Sequence, residues 1–166
     1  MPRLICIALG VFISGSCFAQ SHVLQPRELS KLLPVKIKGW PIKGDSKSNL
    51  LTIGTLRYSL CERTFASRDN LVKVLLFDYA EAPIMLNQSV KKWSEMPETQ
   101  TDSITFESTK TDFGQAWESS HPRTQRAQLL LEINNRFFLT LEAESLTLEE
   151  LRKFFSSNFD LSKFPK

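Results

Sequence analysis

The sequence is poor in the residues that build catalytic or metal sites. Its 166 residues include two histidines, three cysteines and six glycines. It contains no GxSxG, GxGxxG or CxxC motif and no phosphate-binding Walker loop. A zinc site needs three or four ligands, and His22 and His121 stand far apart with no acidic neighbour at ligand spacing. We therefore expect no metal and no cofactor, and a protein that is not an enzyme.

A strong charge of one sign is also absent. The chain has 21 lysines and arginines against 18 aspartates and glutamates, a net charge of +3. So small a charge gives no field that would attract nucleic acid. The 42% of hydrophobic residues is too high for a disordered chain, and the length fits one domain.

An apolar run occupies the N-terminus. Arg3 precedes ten apolar residues, 4–13, and small residues follow as far as Ala19. This is the pattern of a signal peptide, and the run is shorter than the roughly 20 residues that cross a bilayer. We predict that residues 1–19 are a signal peptide cleaved between Ala19 and Gln20. The mature chain would then be exported, periplasmic or secreted, with no transmembrane segment.

Cys17 leaves a second possibility at the same place. A small-residue stretch that ends in cysteine can be a lipoprotein cleavage site, and the protein would then be anchored to a membrane by lipid. Ser14 stands where that pattern usually has an aliphatic residue. If cleavage follows Ala19 instead, Cys61 is the one cysteine left, and no disulfide can form within the chain.

Hydrophobic periodicity and turn residues predict the secondary structure. Two hairpins stand out, one turning at 67–70 and one at Asn134–Asn135, because asparagine tolerates the left-handed backbone of tight turns. The predicted order is a helix over 26–33, a brief edge strand at 35–37, strands within 50–65 and over 71–78, a helix over 83–96, strands at 104–109 and 115–120, the 127–143 hairpin, and a helix capped by Thr147 and Glu150. This order predicts a single α+β domain, 20–166, with a curved antiparallel sheet and helices packed on it.

Four residues are candidates for ligand binding. Trp40 and Trp117 could line a cleft, since binding pockets favour aromatic side chains. Cys61 and His121 form the one conceivable pair of thiol and base, which would make the protein a small secreted enzyme or a redox protein. A buried structural role for Cys61 is the competing interpretation, because unpaired cysteine is among the most buried residue types.

A lysine-rich stretch surrounds Trp40. It suggests either contact with an anionic surface such as lipid head groups, or simply a solvated edge and loop. Its members are Lys31, Lys36, Lys38, Lys43 and Lys47.

The layout as a whole resembles the Mog1/PsbP-like fold. The matching stretches are LVKVLLFD at 71–78, SVKKW at 89–93, QLLLEINNRFFLTLEA at 128–143 and LTLEELRKFF at 146–155. That fold occurs in small exported bacterial proteins and lipoproteins. The resemblance implies an envelope accessory or binding protein, with an unknown protein or a small ligand as its partner, and it offers no catalytic residues.

Overall fold

A computed structural model describes residues 22–166, which form one eight-stranded antiparallel sheet with three α-helices. The predicted antiparallel sheet with accompanying helices is thus confirmed, and strands make up most of its regular structure. The predicted signal peptide, its cleavage between Ala19 and Gln20 and the lipidation of Cys17 lie outside the described residues.

The strands follow one another with few crossovers. In space they are ordered β1-β2-β3-β8-β7-β6-β5-β4. The chain leaves the sheet after β3, returns at the far edge as β4, and then forms an antiparallel meander whose last strand, β8, pairs with β3. The strands are β1 Lys47–Ile53, β2 Leu56–Ser67, β3 Asn70–Glu81, β4 Thr99–Gln100, β5 Thr105–Lys110, β6 Gln115–His121, β7 Arg126–Ile133 and β8 Phe137–Glu144. The α-helices are α1 Pro26–Leu29, α2 Pro83–Ser94 and α3 Leu148–Asn158, and short 3-10 turns cover Ser30–Leu32, Pro122–Thr124 and Leu161–Lys163.

Local turn chemistry accounts for the two predicted hairpins. Arg68 takes a left-handed backbone (φ 54°) between β2 and β3, and Asn134 (φ 55°) and Asn135 (φ 51°) do so between β7 and β8. Left-handed residues match the right-handed twist of paired strands, so they set the register of each hairpin. At the start of α3, Thr147 and Glu150 form the predicted capping box.

The two faces of the sheet carry separate cores, because successive strand residues point to opposite sides. The first face packs under α1, α3 and the C-terminal tail, with Phe65, Leu139 and Phe154 among its buried residues. The second face packs under α2 around Trp117 and Phe138. Part of the second face carries polar residues instead. Four of them lie side by side on adjacent strands, in the order Ser119, Gln128, Glu142 and Lys73.

The predicted edge strand at 35–37 is wrong. This segment makes only an isolated bridge between Ile37 and Trp40, whereas the edge strand is β1, whose first three residues precede the predicted 50–65 stretch. Pro34 and Pro41 bracket the segment and Gly39 turns it (φ 78°), so a continuous ladder cannot form. His121, which follows the predicted 115–120 strand directly, is the last residue of β6.

Within residues 22–166, no helix is both long and apolar enough to span a bilayer.

Candidate functional site

The structure places the two candidate tryptophans on opposite faces of the sheet. Trp117 is buried in the second-face core, with its ring 6.3 Å from that of Phe138. Trp40 is half-buried on the first face, where its ring meets Phe154 edge-on at 5.0 Å. The two rings therefore do not line a common cleft.

Cys61 and His121 are also kept apart. Cys61 has no exposed surface and belongs to the first-face core, whereas His121 is exposed at the end of β6. The strands β3, β8 and β7 lie between β2 and β6, so four strand spacings, roughly 19 Å, separate the two strands. The thiol and the imidazole form no pair in this fold.

His121 instead lines a cleft of about 290 Å³ between the ends of β6 and β7 and the start of α3, here called the His121 cleft. His121 and Arg126 face each other across the β6–β7 ladder and supply its basic groups. Pro122, Leu146 and Leu148 supply apolar surface. The remaining lining residues are Ser120, Gln125, Ser145, Thr147 and Glu150.

Two residues of this cleft hold a left-handed backbone without being glycine. Gln125 has φ 49° and Ser145 has φ 62°, and the Ser145 N–H donates to the Gln125 carbonyl oxygen at 2.8 Å. Left-handed non-glycine residues cost about 1–3 kcal/mol each and tend to cluster at functional sites. Two separate chain segments are thus locked together at the cleft at a cost in backbone energy.

The start of α3 is not free to bind an anion. The Glu150 carboxylate accepts the Thr147 N–H at 2.8 Å, and the Glu150 N–H donates to the Thr147 hydroxyl at 3.2 Å. The backbone N–H of Thr147, and then its hydroxyl, hold the pKa of Glu150 below its ordinary value. A negative group entering the cleft would therefore meet Arg126 and His121 rather than the helix terminus.

A smaller groove of about 220 Å³ continues from the cleft onto the second face of the sheet. His121 and Arg126 border both, and in the groove the Gln128 amide donates to the Glu142 carboxylate at 3.2 Å. Thr140 lies on the same face of β8 as Glu142; its hydroxyl is buried and has no hydrogen-bond partner among residues 22–166. This end of the sheet is thus a polar surface around His121 and Arg126.

Of the residues that line the cleft, only His121 was a candidate from the sequence. No sequence motif marks Gln125, Arg126 or Ser145 as site residues, because the connection before β7 and the one after β8 meet only in the folded sheet. Elsewhere in the described part of the chain, no three His, Cys, Asp or Glu side chains are grouped to hold a metal ion.

Comparison of the chain with protein-family models, with curated proteins and with solved structures gives no match in any of the three. The Mog1/PsbP-like resemblance accordingly stays a prediction.

Proposed function

We propose that this chain is an exported, non-catalytic accessory protein, periplasmic or secreted, that binds a small organic anion in the His121 cleft. The observation that carries the proposal is the Gln125–Ser145 pair, which fixes a cleft whose walls include a guanidinium, an imidazole and apolar side chains. In this proposal Arg126 and His121 take the carboxylate or phosphate of the ligand, and Leu146, Leu148 and Pro122 take its apolar part.

Arg126 is well placed for such a role because its present partner holds it weakly. Its guanidinium lies 3.6 Å from the Glu144 carboxylate, and both side chains are largely exposed, at 66% and 58%. Exposed ion pairs of this kind contribute little, about 0–1 kcal/mol, so a ligand anion can compete for the guanidinium.

Export is supported by the leader pattern together with the attachment of the adjoining segment. The Val23 and Leu24 N–H groups donate to the carboxylates of Glu81 and Asp78, at 3.2 and 2.7 Å. These two contacts lie close behind the proposed cleavage point after Ala19, and cleavage there would leave them in place.

A non-catalytic role is supported by the burial of Cys61 and its separation from His121. We further propose that the fold is of the Mog1/PsbP-like type. The β2–β3 hairpin, α2 with Trp93 in its last turn, the later strands and α3 occur in the order of that resemblance.

Native mass spectrometry of the protein purified from its producing cell tests the proposal. We expect the mass of a chain that begins at Gln20, increased by the mass of a small molecule that is released on unfolding. Arg126→Gln should lose this molecule. Arg123→Gln is the matched control. It removes the same charge three residues earlier in the chain, and the Arg123 side chain does not line the cleft.

A ligand that dissociates during purification is detected by an NMR titration with benzoate, whose ring and carboxylate match the two kinds of wall. Amide shifts confined to residues 120–126 and 145–150, and abolished by Arg126→Gln, would support the site. No shifts there, or equal shifts in both arginine variants, would contradict it.

A further inference from the structure

Positive charge is concentrated in one segment of the chain. Residues 31–47 contain five lysines and one acidic residue, Asp45, whereas the rest of the described chain has more acidic than basic residues. All five lysines are exposed, and none of them forms an ion pair within residues 22–166. This basic surface is not evident from the small net charge of the whole chain, because acidic residues elsewhere offset the five lysines.

Within this segment, residues 35–43, here called the basic loop, form a tight turn with an apolar residue on the outside. The Trp40 N–H donates to the Ile37 carbonyl oxygen at 3.0 Å, which places Lys38 and Gly39 at the tip. Ile37 points inward and is buried, whereas Val35 is 61% exposed, more than any other large hydrophobic residue of the described chain.

The basic loop is fixed to the body of the protein. The Lys43 N–H donates to the Thr64 carbonyl oxygen at 2.8 Å, and the Ala66 N–H donates to that of Pro41 at 3.0 Å. The Trp40 ring packs against Phe154 of α3. The backbone that carries the lysines is therefore fixed relative to the sheet.

A buried arginine adds charge beneath this loop. The guanidinium of Arg63, a residue only 7% exposed, donates to the carbonyl oxygens of Leu33 and Pro34 at 2.7 and 3.0 Å, and to the Ser46 hydroxyl at 3.3 Å. Among the described residues no carboxylate lies within ion-pair distance of it. Its positive charge is thus uncompensated and adds to that of the nearby lysines.

We propose that the basic loop docks the protein on an anionic lipid surface. Val35 enters the interface between head groups and acyl chains, and Lys36, Lys38 and Lys43 contact lipid phosphates. An exposed aliphatic side chain among lysines fits a membrane interface, whereas a nucleic acid would call for exposed aromatic platforms, and Trp40 is already packed on Phe154. This surface is distinct from the His121 cleft, and the proposal does not depend on ligand binding there.

Co-sedimentation with vesicles tests the proposal, using phosphatidylcholine vesicles with and without phosphatidylglycerol and the protein as isolated from its producing cell. An apolar leader would bind both kinds of vesicle, so the difference in binding between them reports only the contribution of the anionic lipid. We expect binding that needs phosphatidylglycerol and weakens with salt. Each lysine near the surface is worth about fivefold in affinity, so the triple variant Lys36→Gln, Lys38→Gln, Lys43→Gln should lose roughly a hundredfold.

The matched control removes three lysines elsewhere, by Lys91→Gln, Lys92→Gln and Lys110→Gln, and should bind nearly as well as the unmodified protein. Val35→Asp should weaken binding without changing the circular dichroism spectrum. Equal binding by the two triple variants would overturn the proposal. So would binding to heparin without binding to the anionic vesicles, since that would assign the loop to a soluble polyanion.

Discussion

The carboxylate of Asp78 and the guanidinium of Arg136 form a two-pronged ion pair inside the protein. Arg136 Nε lies 2.8 Å from Asp78 Oδ1, and Arg136 Nη2 lies 2.7 Å from Oδ2. The carboxylate also accepts the N–H groups of Ala80 and Leu24, and Arg136 donates to the His22 carbonyl oxygen. The pair thereby joins β3, the turn before β8 and the segment that leads into α1.

Removing one partner of this pair should be strongly destabilising. Asp78 has no exposed side-chain surface and Arg136 only 10%, so Asp78→Ala leaves a nearly buried charge and two unpaired N–H groups. We expect a loss of about 3–5 kcal/mol in the free energy of unfolding, measured by urea denaturation. Arg152→Ala breaks a half-exposed pair with Glu118 and should cost less than about 1 kcal/mol. Similar losses in both variants would contradict this account.

Glu81 should make the attachment of the N-terminal segment sensitive to acid. The Val23 N–H, with smaller contributions from His22 and Arg57, holds the pKa of the Glu81 carboxyl below its ordinary value. A lowered pKa means that the contact is present above the ordinary value and is lost as the pH falls through the lowered one. The NMR shift of the Val23 amide should follow this titration. Glu81→Gln should abolish it, and an unchanged titration in that variant would disprove the assignment.

Tyr79 should make the protein less stable in alkali. Burial of its ring, stacked on Phe77 at 5.5 Å, raises the pKa of the Tyr79 hydroxyl from 10.0 to about 12. Between these values the unfolded chain loses the proton first, so stability falls as the pH rises. Urea midpoints across this range should drop in the unmodified protein and drop less in Tyr79→Phe. Equal drops would show that another group is responsible.

A side chain at Gly114 should destabilise the protein. Its φ is 156°, and a Cβ atom there would lie 2.4 Å from the Glu132 carbonyl oxygen, so the backbones of the β5–β6 turn and β7 would have to separate. We expect Gly114→Ala to cost about 1–3 kcal/mol in thermal unfolding. Gly54→Ala is the comparison: a Cβ at Gly54 meets nothing within 4 Å, so the variant should lose only about 1 kcal/mol, the cost of its left-handed backbone (φ 60°). A smaller loss at Gly114 than at Gly54 would refute the close approach.

The sequence by itself determined the features that depend on neighbouring residues. The turn at Asn134–Asn135, the start of α2 at Pro83 and the Thr147–Glu150 cap were all predicted, because backbone preference and capping act within about one turn of chain. The strand β1 was not predicted as a strand separate from β2, because most of its residues are exposed at the sheet edge, where little alternation between apolar and polar residues is imposed.

Only the tertiary structure decided which distant residues meet. The return of the chain after α2 sets β8 beside β3, and this brings Arg136 to Asp78 and leaves Cys61 four strands from His121. The same topology joins the connection before β7 to the one after β8 and so builds the His121 cleft from residues without a motif. Strand order is set by the joint burial of both faces of the sheet, a free energy spread over the whole chain, and no short segment carries its signal.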